Sequence, residues 1–185
     1  LNDLTRYWLL AQEGTSVSYE ELTKNPPHEI LDISQEEYLA SLDQFRLSKR
    51  YIAMKPVEEV KKWFYTHGDN FRHIAITAVP VRAAHTSASW VLREFGRWIR
   101  AYHFIPSFRA GENIPSYDDN KQALLERLKE IDIFIDDSEN NLKGVDALGV
   151  TGLLFPRPWN HSSLSISETL EKLTEKTYEL KDKED

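Results

Sequence analysis

The chain has 185 residues, 41% of them hydrophobic, which is enough for one domain with a real core and room for a small insertion. A net charge of −7 argues against binding a nucleic-acid polymer, which calls for a basic face, and requires any anionic ligand to meet a locally positive site. No apolar run approaches the ~18 residues of a membrane span, no basic-then-apolar signal opens the chain, and the absence of cysteine excludes disulfides and thiolate metal sites, so a cytoplasmic location is expected.

The first 66 residues read as mainly helical. Ser18 with Glu21, and Ser34 with Glu37, have the spacing of capping boxes, in which a serine and a glutamate satisfy each other's backbone N–H groups at a helix start. Leu39, Leu42 and Phe45 then share one helical face. Asn25-Pro26-Pro27 reads as a turn, because proline lacks the N–H a helix interior needs. Pro56 is expected at the first position of a further helix carrying Val60, Trp63 and Phe64 and closed by His67-Gly68.

Beyond residue 70 strands alternate with helices. HIAIT (73–77) reads as a strand, followed by a helix over 82–99 with Ala84, Ala88, Val91, Phe95 and Trp98 on one face. AYHFIPS (101–107) is a second strand, KQALLERLKE (121–130) a helix capped by Asp119, IDIFIDD (131–137) a third strand and TGLLFP (151–156) a fourth. A last helix opens at the Ser165/Glu168 box and buries Ile166, Leu170, Leu173 and Leu180. This order predicts an α/β fold with a Rossmann-like, doubly wound parallel sheet, a helical cap region over 1–66 and a core over 67–185.

Ligands of such sheets bind outside the carboxyl ends of the strands. The polar residues expected there are Thr77, Ser107, Asp136 and Asp137. A hydroxyl at Thr77 just before a helix start suits a phosphate. Two adjacent carboxylates, Asp136 and Asp137, are hard oxygen ligands for Mg²⁺. Lys121, opening a helix, supplies a point charge for a phosphoryl group. Taken singly, each has a plainer reading: Thr77 as a helix cap, the two aspartates as caps of the next turn, Lys121 as a solvated lysine, and Trp159-Asn160 as packing and a turn. His28, His67, His73, His85, His103 and His161 show no metal-ligand spacing.

Thr77 in ITAVP, then Lys121, then IDIFIDDSENN resembles, in that order, the second, third and fourth motifs of the haloacid dehalogenase (HAD) superfamily of phosphohydrolases. The helical stretch over 5–66 falls where that family inserts a small cap, and FPRPWN (155–160) resembles the 5′(3′)-deoxyribonucleotidase branch. The resemblance covers nearly the whole chain and implies a phosphatase acting through an aspartyl-phosphate. Mg²⁺ would be held by Asp136, its likeliest direct ligand, with Asp137, and Thr77 and Lys121 would bind phosphate oxygens. Asn160 would lie on the substrate side, and a phosphate ester such as a nucleoside monophosphate would be the substrate. Tyr7, Trp8, Phe45 and Tyr51 are candidates to stack on a base, with core packing the competing fate.

The sequence departs from the family at its first motif. No Asp-x-Asp occurs anywhere in the chain, and Asp3 in LNDLTRYW has no apolar strand before it. Without the strand that carries this motif, two ladders of backbone groups would lie open at ~1–3 kcal/mol for each buried unpaired group, against a typical net stability of about 5–15 kcal/mol. The expectation is that residues upstream of Leu1, or RYIAMK (50–55), fill the slot. The alternatives are an inactive HAD-like domain or a flavodoxin-like or receiver-type module that holds Mg²⁺ on the paired acids. The helical insertion speaks against the receiver.

Overall fold

The computed structural model describes residues 1–115 and 117–181. The chain is a mixed α/β protein that divides into two compact units, Leu1–Ser116 and Tyr117–Asp185. The boundary expected near residue 66 falls inside the first of them. Among the described residues no helix is long and apolar enough to cross a membrane.

In the first unit, α1 (Leu4–Leu9), a 3-10 turn (Tyr19–Glu21), α2 (Gln35–Arg46), α3 (Lys49–Ile52), α4 (Glu58–His67) and a second 3-10 turn (Gly68–Asn70) precede the strand β1 (His73–Val79). Helix α5 (Val81–Phe95) then leads to β2 (Ile99–Pro106), which runs parallel to β1 with Ala75 opposite Tyr102 and Thr77 opposite Phe104. Both early capping boxes form, Ser18/Glu21 on the first 3-10 turn and Ser34/Glu37 at the start of α2. Pro56 does not open a helix. It forms an isolated bridge with Asn2, and α4 starts two residues later behind Val57. RYIAMK is likewise no strand: Arg50–Ile52 belong to α3, whose cap Ser48 accepts the Tyr51 N–H through its side chain at 3.2 Å.

Aromatic side chains build this unit's core. Trp8 meets Tyr38 edge-on with centroids 5.1 Å apart, and Trp90, 1% exposed, donates its indole N–H to the Met54 carbonyl at 3.0 Å. Trp8, Phe45 and Tyr51 are core residues, so packing takes three of the four residues offered for base stacking, while Tyr7 is half-buried and its hydroxyl accepts the Lys55 N–H. Gly68 ends α4 as expected but with an ordinary φ of −62°. Its role is steric: a Cβ there would come within 2.9 Å of the Trp98 ring. The α5 face is as predicted at Ala84, Val91 and Phe95, all buried.

The second unit holds α6 (Lys121–Leu128), β3 (Ile133–Asp136), the short α7 (Glu139–Leu142), a 3-10 segment (Val145–Leu148), β4 (Thr151–Leu154) and α8 (Ile166–Lys181). Asn120, not Asp119, caps α6, accepting the Ala123 N–H at 2.9 Å. Ser165 and Glu168 close their box at 2.7 and 3.2 Å, and Leu170 and Leu173 are buried from α8. Strand β4 runs parallel to β3 with Asp136 opposite Leu154. The described strands therefore form two two-stranded parallel sheets, β1–β2 and β3–β4.

Candidate functional site

The carboxyl end of β3 gathers the expected residues of the second unit. Asp136 is the last residue of the strand and 6% exposed. Lys121, the first residue of α6, reaches it with its Nζ 2.5 Å from Oδ2, and both side chains are largely buried (14% and 4% exposed). The other oxygen of Asp136 accepts the Ser138 N–H at 2.9 Å and the Asn141 side-chain amide at 2.9 Å. A carboxylate offers about four lone-pair sites, so these three donors leave Oδ2 one more. Lys121 is thus no solvated lysine. Asp136 does cap the following turn, while also pairing with a cation.

Asp137 differs from its neighbour. Burial raises its pKa, and the Asp136 charge raises it further, with Arg157 and Lys121 pulling the other way. A cation beside Asp137 would relieve the repulsion it feels from Asp136. Mg²⁺ needs only one or two carboxylates, the rest of its shell being water and phosphate oxygens. The acids that would answer that demand are Asp136, through the remaining position on Oδ2, and Asp137. Among the described residues, no group of three or more His, Cys, Asp or Glu is gathered for a metal held by protein alone.

Asn160 serves the site as a strut. Its amide donates to the Asp137 carbonyl at 2.9 Å and the Phe155 carbonyl at 2.8 Å, while its oxygen accepts the N–H groups of Arg157 at 3.2 Å and Ser162 at 3.3 Å. Two donors and two acceptors are spent within the protein. Asn160 ties the segment after β3 to the segment after β4. Beside it, the Arg157 guanidinium lies 4.7 Å from the centre of the Phe155 ring.

Thr77 belongs to the first unit and does not end its strand. β1 continues to Val79, and Pro80 occupies the N-cap position of α5, so Thr77 is neither the last strand residue nor a helix cap. The strand runs on because Ala78 and Val79 suit the ladder beside Ile105 and Pro106. Ser107, just past β2, accepts the Arg109 guanidinium through both its carbonyl and its hydroxyl. Asp3 begins a helix and pairs with Arg6 at 3.2 Å.

Asn141 and Arg157 were not singled out from the sequence. Asn141 lies in IDIFIDDSENN, five residues after the acid it supports, and an amide placed one helical turn past a strand-end aspartate is the signal that was there. Compared with protein-family models, with curated proteins and with solved structures, the chain matches none.

Proposed function

We propose that this chain is a phosphohydrolase of the HAD type, Mg²⁺-dependent and acting on phosphomonoesters, with nucleoside monophosphates as the first substrate class to test. The finer fold expectation, one doubly wound sheet, belongs to the same proposal. The observation that supports it is the buried Lys121–Asp136 pair at the carboxyl end of a parallel strand. A lysine at the start of one helix and a strand-end acid meet across 15 residues of sequence.

In this reading Asp136 holds the Lys121 ammonium in place and, with Asp137, presents oxygen ligands to Mg²⁺. Lys121 sets a fixed positive charge where phosphoryl oxygens gather charge, and such preorganised charge lowers the barrier of phosphoryl transfer. Bound Mg²⁺ would offset repulsion between a phosphate and an attacking anion. Asn160 keeps the two strand exits in register so that Asp137 and Arg157 keep their places. No Asp-x-Asp occurs in these 185 residues, so this reading assigns the attacking aspartate to none of them. That same fact favours a second reading, a domain that binds phosphate without turnover.

Two measurements test the site itself. Lys121→Arg, which keeps the charge, should retain most vanadate binding, and Lys121→Ala should lose about tenfold or more. Because Lys121→Ala strands a buried carboxylate, it should also cost about 3 kcal/mol in the second unit, read from amide hydrogen exchange in β3 and β4. If both variants bind vanadate as the parent does, Lys121 is only a structural partner of Asp136. The second concerns the metal. In calorimetric Mg²⁺ titrations Asp136→Asn should weaken binding far more than Asp137→Asn, and equal effects would remove Asp136 as the direct ligand.

A further inference from the structure

The first unit carries a second concentration of charge, unrelated to the motifs. Asp43 on α2 is 2% exposed, and three arginines converge on its carboxylate. Arg109 grips it with a two-pronged contact, Nε to Oδ2 at 2.7 Å and Nη2 to Oδ1 at 2.9 Å. Arg46 donates to Oδ1 at 3.0 Å, and Arg82 to Oδ2 at 2.7 Å. Four charge-assisted bonds use the lone pairs of the carboxylate fully.

The charges do not cancel. Three guanidiniums face Asp43, and among the described residues Glu112 is the other acid that acts on the cluster: it accepts the Arg109 backbone N–H at 3.0 Å and bears on the Arg82 charge. That leaves one net positive charge in a chain whose total is −7. The neighbouring phenols do not supply the missing anion, since burial pushes Tyr38 up to about 12 and raises Tyr51 as well. Holding surplus charge is costly where Arg46 and Arg109 are only 13% and 12% exposed. The exception is Arg82, which is 51% exposed and, among the described residues, gives only one of its donors to a protein acceptor.

We propose that the Arg46–Arg82–Arg109 cluster is an oxyanion site that takes the phosphate group of a small molecule, free or as a monoester, through the exposed fork of Arg82. Asp43 acts as a positioning residue: it fixes the guanidinium planes so that little side-chain freedom is lost on binding. The site lies wholly within the first unit and does not depend on Lys121 or Asp136.

Side-chain Nε–Hε resonances of ¹⁵N-labelled protein, assigned by single-arginine variants, provide the test. Inorganic phosphate should move the Arg82 and Arg109 signals saturably, and potassium chloride at equal ionic strength should not. Arg82→Ala should weaken the phosphate response at Arg109 about tenfold, and Arg82→Lys should recover only part of it. Lys121→Ala should leave the Arg82 response unchanged, which separates this site from the proposed phosphohydrolase site. Methyl phosphate shifting the same signals assigns an ester, and a response to inorganic phosphate alone assigns the free ion. An equal response to chloride or acetate, or an unaltered Arg109 response in Arg82→Ala, overturns the proposal and leaves a purely structural cluster.

Discussion

Asp43→Asn should lower the stability of the first unit by about 3–5 kcal/mol at neutral pH, because it removes the buried carboxylate that three guanidiniums share while leaving Arg46 and Arg109 in place. The shape of the side chain is kept, so the loss reports charge rather than volume. The pH dependence follows with a definite sign. Burial pushes the Asp43 carboxyl up, but hydrogen bonds from Arg109, Arg82 and Arg46 outweigh it and hold the pKa below the ordinary aspartate value. A folded pKa below the unfolded one contributes stability that is complete above ~3.9 and is lost as pH falls through the folded value. The gap between parent and variant should therefore be constant from about pH 5 to 7 and close in stronger acid. Urea unfolding followed by tryptophan fluorescence measures it, since Trp8, Trp63, Trp90 and Trp98 of the five tryptophans lie in this unit. A variant within about 1 kcal/mol of the parent at pH 7 would show that the arginines are solvated and the cluster is loose.

What the sequence revealed and what it hid divide by range. Ser34/Glu37 and Ser165/Glu168 act over three residues, and both formed where expected. The helical spacing of Val60, Trp63 and Phe64, and of Ala84, Val91 and Phe95, marked faces that are buried. Strand identities were legible from β-branched and aromatic runs, but strand ends were not. Thr77 looked like an end because a hydroxyl followed four apolar or aromatic-like residues, whereas the ladder with β2 persists to Val79. Pro56 obeyed the local rule for helix starts and lost to a bridge with Asn2, a partner 54 positions away. The Asp43 cluster was hidden for the same reason. Only Arg46 lies within a helical turn of Asp43, while Arg82 and Arg109 arrive from 39 and 66 residues further on. At the candidate site the order Lys121, Asp136 was readable, and the pairing of the two side chains was not. Asn160 was noticed for its place after a strand and serves to tie two segments, since its amide is saturated.

The second large effect concerns turnover. The 185-residue chain should release no phosphate from nucleoside monophosphates or from an aryl phosphate above background. On the proposed reading Lys121 and the paired acids would stabilise charge, but Asp3, the one acid suggested by position, lies at the start of α1 and is engaged by Arg6. Covalent and acid–base steps commonly contribute ~10²–10⁴-fold each, and a site without the groups that perform them loses those factors together. Asp3→Asn should accordingly change nothing. Robust turnover that Asp3→Asn abolishes would make Asp3 the nucleophile and overturn this assignment.

The most direct measurement is phosphate release by a longer polypeptide in which a strand ending in Asp-x-Asp precedes Leu1, assayed beside the 185-residue chain with and without Mg²⁺. The phosphohydrolase reading predicts Mg²⁺-dependent hydrolysis by the longer chain alone, reduced at least a hundredfold by Lys121→Ala and by Asp136→Asn (roughly the loss of one preorganised charge). Pyrimidine deoxynucleoside monophosphates are the first substrates to try. A longer chain that folds, binds vanadate and hydrolyses nothing on a broad phosphomonoester panel would contradict it and establish a binding domain instead.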